Sequence, residues 1–266
     1  MTDDREALLD LARGVGLEAA DFVRDSRPPG RVDVAATKSS DTDVVTELDR
    51  RCEELIRERI LGVRPDDGFV GEEGAGVAGT SGVEWVVDPI DGTVNFVYGL
   101  GAYAVSIAAR VYGEVVAGFV ADIPRERSWG AIRGGGSWRY DGDDRQTLHA
   151  PAPESVAHAL VATGFNYVPE VRTRQAQAVA RLLPHVRDIR RIGSAAIDLC
   201  TMAEGGFDAY VEEGLNPWDL AAGGLVASES GLELQGLDGP PDARLVMVAH
   251  PVIAEEYFAL VRACGF

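Results

Sequence analysis

The side chains best suited to chemistry are carboxylates placed where apolar runs end. In WVVDPIDGTVNFVYG, residues Trp85 to Gly99, an apolar strand runs into Asp88 and Asp91, followed at once by Gly92, Thr93 and Asn95. FVGEEG places Glu72 and Glu73 at another strand end, and NPWDLAAGG puts Asp219 in the first turn of a helix rich in small residues. The chain carries a formal charge of −18, so gathering more carboxylates in its interior calls for something positive beside them. Carboxylate and carbonyl oxygens without imidazole or thiolate select hard cations, Mg²⁺ above all. His149, His158, His185 and His250 show no ligand spacing, which disfavours zinc. Taken alone, DPIDGT is also compatible with a strand-to-helix turn capped by an aspartate.

The local sequence explains how such groups could be presented. A strand ending at Val87 brings Asp88 to a sheet edge, Pro89 fixes one backbone angle, and Gly92 allows a tight bend or a close approach to a ligand. Asp91-Gly92-Thr93 then reads as a helix start, whose free N–H groups favour anions. Two adjacent glutamates on an extended strand point to opposite faces. Only one of Glu72 and Glu73 can therefore face a given ion, which leaves the other a supporting or buried paired role.

The elements around these tips follow from periodicity. Leu8, Leu11, Ala12, Val15, Ala19 and Phe22 recur at helical spacing until RPPGR, and Val45, Leu48, Cys52, Leu55, Ile56 and Ile60 predict a second amphipathic helix. From about Ala102 to Tyr140, β-branched and aromatic runs broken by Gly and Pro predict an antiparallel meander. The polar stretch DGDDRQTLHAPAPES is the candidate seam between an N-terminal α+β domain, 1–145, and a C-terminal α/β domain, 146–266. In the second half, helices are expected at about 169–183, 194–204, 217–229 and 251–264, with strands at 187–191, 207–212 and 243–248.

Bulk properties narrow the partners. At 266 residues with 46% apolar content, the chain can bury a substantial core. Its acidic balance argues against a nucleic-acid-binding face. No apolar run approaches the ~20 residues of a membrane span. The acidic N-terminus lacks a signal-peptide plan. Cys52, Cys200 and Cys264 lie far apart, which suits a reducing, cytoplasmic setting. Lys38 is the sole lysine among 25 basic residues; an arginine-favouring genome explains the bias, and a need for a compact ammonium could explain the exception.

KSSDTDVVTELD, GEE, WVVDPIDGTVNF, RRIGSAAIDLC and EEGLNPWDLAAGG together resemble, in order and spacing, the signature segments of the inositol monophosphatase family, in a bacterial member. The resemblance covers nearly the whole chain. It implies a layered α/β/α/β/α sandwich of the α+β class, a homodimer, lithium sensitivity, and Mg²⁺-dependent hydrolysis of a small phosphate monoester. The family pattern assigns Glu72, Asp88 and the carbonyl of Ile90 to one metal, and Asp88, Asp91 and Asp219 to a second. A third, weaker ion shares Glu72, giving two to three per subunit. Thr93 and Asp49 match the pair that orients and deprotonates the attacking water. The N–H groups of Gly92 and Thr93 match the phosphate-binding amides. Asp91, Ser194, Ala195, Glu212 and Asp219 fall beside the substrate, and Lys38 aligns with a lysine of the mobile loop near the metals. Read without the family, Ser194 is equally a helix cap and Glu212 an exposed strand-end carboxylate.

One departure bears on the substrate. Asn216-Pro217 stands where eukaryotic members tend to have His-Cys. The substrate is expected to be a phosphorylated polyol or amino alcohol, myo-inositol 1-phosphate first, with histidinol phosphate second or a broader range of sugar phosphates as the alternative. Few basic residues beyond Lys38 and Arg190-Arg191 are placed to hold a second phosphate, which disfavours bisphosphates. A catalytically idle regulatory binding protein is the non-enzyme alternative. A calcium buffer fits poorly, because the ligands come from distant segments.

Overall fold

The computed structural model describes residues 2–37 and 44–266, so Lys38 lies outside the described residues. The chain opens with helix α1 (Thr2–Ser26), then two short strands, β1 (Ala36–Thr37) and β2 (Val44–Val45), that pair antiparallel. Helix α2 (Glu47–Val63) follows, then β3 (Gly68–Gly71), β4 (Val83–Asp91) and the short helix α3 (Thr93–Tyr98). A meander comes next: β5 (Ala104–Val111), β6 (Glu114–Asp122), β7 (Arg127–Ile132), β8 (Gly136–Asp141) and β9 (Asp144–Thr147). β3 to β9 form one seven-stranded sheet in sequence order, with β3 parallel to β4 and every later pair antiparallel.

The second half comprises β10 (Leu160–Thr163), α4 (Pro169–Leu182), β11 (Asp188–Arg190), α5 (Ala195–Ala203), β12 (Ala209–Glu212), α6 (Pro217–Glu229), β13 (Glu233–Gln235), β14 (Val246–Ala249) and α7 (Pro251–Cys264). Its five-stranded sheet runs in the order β11-β10-β12-β14-β13. β10 pairs in parallel with β11 and β12, and β14 pairs antiparallel with β12 and β13.

Side-chain alternation along the strands explains why these elements stack in five layers. On β4 and β5, Trp85, Val87, Val105 and Ile107 join a core with α1 and α2, while Val86, Ala104 and Ala108 join another with α5 and α6. On β12 and β14, Tyr210, Val246 and Val248 face α5 and α6, while Val211, Met247 and Ala249 face α4 and α7. Both sheets are thus buried on both faces, which gives the α/β/α/β/α sandwich expected from the sequence. The order is α1 and α2, seven strands, α5 and α6, five strands, α4 and α7.

The central helices lie close because α6 is small-sided. A Cβ placed on Gly118 of β6 would come 2.9 Å from the Cα of Ala222, and one on Gly223 would come 3.2 Å from the Cα of Ala196. Backbone offers no rotamer escape. Gly118→Val is therefore expected to destabilise by about 2 kcal/mol despite valine's preference for strands. The thermal unfolding midpoint should fall by roughly 5 °C, and an unchanged midpoint would show that α6 does not pack this tightly on the sheet.

Candidate active site

β4 delivers the central carboxylates. Its ladder with β5 is regular to Asp88, which pairs with Ser106, and then slips before Asp91, which pairs with Ala104. The irregularity spans Pro89 and Ile90, where proline has no N–H to offer the ladder. Asp88 is 1% exposed, and its Oδ1 accepts the Ile90 N–H at 3.0 Å. Gly92 then turns the chain into α3 with φ +91°, and a Cβ there would sit 2.9 Å from the carbonyl oxygens of Ala102 and Gly193. Both the backbone angle and the contact demand glycine.

Helix starts supply the remaining groups. Asp219 occupies the third position of α6, where its Oδ2 accepts the Asn216 N–H at 2.6 Å in a reciprocal cap. Pro217 at the first position fixes where α6 begins. One oxygen each from Asp88, Asp91 and Asp219 lies within 4.8 Å of the others, a cluster able to hold a metal ion. Glu72, just beyond β3, lines the same cavity, which measures about 360 Å³. Ile90, Gly92, Thr93, Ser194, Ala195 and Glu212 line it as well. Apart from Lys38, the structure brings every expected site residue either to this cavity or, for Asp49, into contact with its wall.

Asp49 sits behind that wall. It is fully buried in the first turn of α2, where its Oδ2 accepts from both the Thr46 N–H, at 2.9 Å, and the Thr46 hydroxyl. Its Oδ1 faces Thr93, whose hydroxyl lies 3.2 Å from it and 3.1 Å from the carbonyl oxygen of Ile90. One hydroxyl proton serves these two acceptors.

Asp91 joins the two halves of the molecule. It is 7% exposed, and its Oδ2 accepts from the Ser194 hydroxyl at 2.6 Å and the Ala196 N–H at 2.7 Å, at the start of α5. Burial nevertheless pushes its carboxyl up to about 6, with Glu72 adding repulsion against these hydrogen bonds. Burial also drives Asp219 well above the ordinary carboxylate range, reinforced by the charges of Asp91 and Glu72. Two carboxylates 4.8 Å apart repel by about 3 kcal/mol at an effective dielectric constant near 20. No imidazole or thiolate lines the cavity among the described residues, and Arg191 is its one cationic side chain. An oxygen-only, mutually repelling set of this kind fits a hard divalent ion.

The whole chain can now be compared with known proteins. A family model described as the inositol monophosphatase family matches residues 4–265. The chain belongs to the inositol monophosphatase family. The inositol-1-monophosphatase SuhB of Mycobacterium tuberculosis is 44% identical over 270 residues, covering 96% of this chain and 93% of that protein. A solved structure of Mycobacterium tuberculosis SuhB superposes with a TM-score of 0.84 at 42% identity, covering 98% of this chain and 97% of that one. A Pasteurella multocida relative named Nus factor SuhB is 36% identical over 242 residues, covering 88% of each chain. As a member of this family the protein is a phosphoric monoester hydrolase of the inositol-1-monophosphatase type.

Several cavity residues of this family member were not singled out as wall residues from the sequence, although Arg191 was noted as a basic residue. Phe165, Asn166 and Tyr167, after β10, form part of the wall, as do Glu213 and Arg191. Gly164 allows the close approach: a Cβ there would lie 1.9 Å from Glu212 Oε1. A glycine directly after a short apolar run is the signal that could have marked this wall. Glu213 is held by a two-pronged ion pair with Arg174, at 2.7 and 2.9 Å. Glu212 lies against the protein interior, not exposed at a strand end, and accepts the Tyr210 hydroxyl at 2.5 Å. Burial pushes its carboxyl up to about 7, the Tyr210 hydrogen bond opposing.

The sign of that shift gives a test. Glu212 is ordinarily half-protonated at 4.5 and reaches about 7 in the folded chain, so the folded state holds the proton longer than the unfolded one. Its contribution to stability is full below about 4.5 and lost as pH rises through about 7. In chelator, Glu212→Gln should therefore gain on the parent by about 1–3 kcal/mol between pH 5 and pH 8 in denaturant unfolding. A stability difference independent of pH would contradict the raised value.

Proposed function

We propose that this enzyme hydrolyses myo-inositol 1-phosphate with Mg²⁺ as cofactor, with histidinol phosphate as the second-ranked substrate. The convergence of Glu72, Asp88, Asp91 and Asp219 on one small cavity carries the reading. On this reading, Glu72, Asp88 and the Ile90 carbonyl hold one ion, and Asp88, Asp91 and Asp219 hold a second. A third shares Glu72. When bound, such ions neutralise the carboxylates, acidify a water and stabilise the departing alkoxide oxygen.

The protein's own groups do the positioning. When the Thr93 hydroxyl donates to Asp49, its oxygen keeps a lone pair to accept a proton from water in the cavity, and the Ile90 carbonyl is freed to face a cation. Asp49, tied to Thr46 on its far side, is held in place for that exchange. Gly92 and Thr93 offer backbone N–H groups to the phosphate. Ser194 and Ala195 sit beside the ring, and Glu212 accepts hydroxyl hydrogens or faces an amine. The cavity size suits a sugar-sized ester, and its acidic lining, with one arginine, suits a monophosphate better than a bisphosphate.

The resemblance extends the reading to a homodimer and to lithium inhibition. Three free, buried cysteines suit a cytoplasmic location, and no helix among the described residues is long and apolar enough to cross a membrane. The rival reading is a binding protein without catalysis, prompted by the relative named Nus factor SuhB. The full set of cavity carboxylates favours catalysis.

A phosphate-release assay tests the metal and substrate assignments. Asp88→Asn should retain less than about a tenth of the Mg²⁺-dependent rate, and kcat/KM should be higher on inositol 1-phosphate than on histidinol phosphate. A rate above that level would count against the metal assignment, and the reverse substrate order would exchange the two substrates.

A further inference from the structure

α2 carries a second buried carboxylate one turn beyond Asp49. Glu53 is 3% exposed, and positions i and i+4 share a helix face. Like charges at that spacing disfavour a helix, so the pairing works against α2 by itself. Asp49 turns toward Thr93. Glu53 instead reaches under the GEEG turn, where its Oε2 accepts the Glu73 N–H at 2.7 Å.

The two glycines of that turn are shaped to this carboxylate. A Cβ on Gly71 would lie 2.3 Å from Glu53 Oε2, and one on Gly74 would lie 2.6 Å from Oε1. The turn thus wraps the carboxyl group from both ends. Between the glycines stand Glu73, whose N–H is tied down, and Glu72, which lines the cavity. The Glu73 N–H belongs to the peptide group that joins it to Glu72, so holding that amide fixes the backbone on the C-terminal side of Glu72.

We infer that Glu53 is a positioning residue whose carboxylate holds the Gly71–Gly74 turn so that Glu72 points into the cation-binding cavity. The inference rests on the proposed Mg²⁺ site. It gives α2 two tasks, holding Thr93 through Asp49 and holding Glu72 through Glu53.

The test is Mg²⁺ binding by titration calorimetry without substrate, alongside unfolding midpoints in chelator to establish that each variant is folded. Glu53→Ala should weaken Mg²⁺ binding tenfold or more, whereas Glu53→Gln, whose amide oxygen can still accept the Glu73 N–H, should stay within threefold of the parent. Gly74→Ala, which pushes the Glu53 carboxyl aside, should weaken binding as Glu53→Ala does, and it decides the matter if Glu53→Ala does not fold. Parent-like affinity in a folded Glu53→Ala or in Gly74→Ala overturns the inference, as does Glu53→Gln binding as weakly as Glu53→Ala. A parent protein that binds no Mg²⁺, and so matches Asp88→Asn, overturns the metal reading and this inference together.

Discussion

Repulsion among buried carboxylates is the constraint on which the rest of the site depends. Asp88 lies within β4, which runs on to Asp91 instead of ending at Val87 as expected. Asp91 is the last residue of that strand and Asp219 stands in a helix first turn, yet oxygens of all three share a space under 5 Å across. Nothing in hydrophobic packing gathers charges in this way, and at about 3 kcal/mol per pair the repulsion is a sizeable fraction of a domain's net stability. The hydrogen bonds that Asp91 receives from Ser194 and Ala196 do not bring its carboxyl back to the ordinary range. A bound divalent ion turns the same arrangement from a cost into a ligand set.

The layered fold makes the convergence possible. Strand β4 ends beside the start of α5, and α6 packs its small side against the seven-stranded sheet, so tips distant in sequence meet at one edge of the stack. Asn95 reinforces the meeting: its Nδ2 donates to the carbonyls of Ala102 and Ile192, at 2.8 and 2.9 Å. The site therefore straddles the two sheets. A change in how they dock would alter the catalytic geometry even where no ligand is touched.

Much of this was legible in the sequence, for local reasons. α6 and α7 begin and end as expected because Pro217 and Pro251 stand at their first positions and mark the starts sharply. The meander showed in its β-branched runs and turns. Five strands escaped. β1 and β2 have two residues each, Val45 of β2 having been expected in the second helix. β10 is a four-residue run between parallel neighbours, β13 has only three residues, and β9 is fully exposed at a sheet edge, so none of the five carries alternation long enough to read. The clustered carboxylates were visible as types where apolar runs end. Glu53 was not, since a glutamate on an amphipathic helix looks solvent-facing until the turn that wraps it is known. Glu212 shows the opposite limit, because its burial depends on Gly164, far away in sequence.

The central claim is that cation charge holds these carboxylates together. Anomalous diffraction from crystals of this protein grown with Mn²⁺ in place of Mg²⁺ tests it most directly. The account expects at least one strong anomalous peak ligated jointly by Asp88, Asp91 and Asp219, with a second beside Glu72. Full-length electron density for the four side chains with no anomalous signal among them would contradict it.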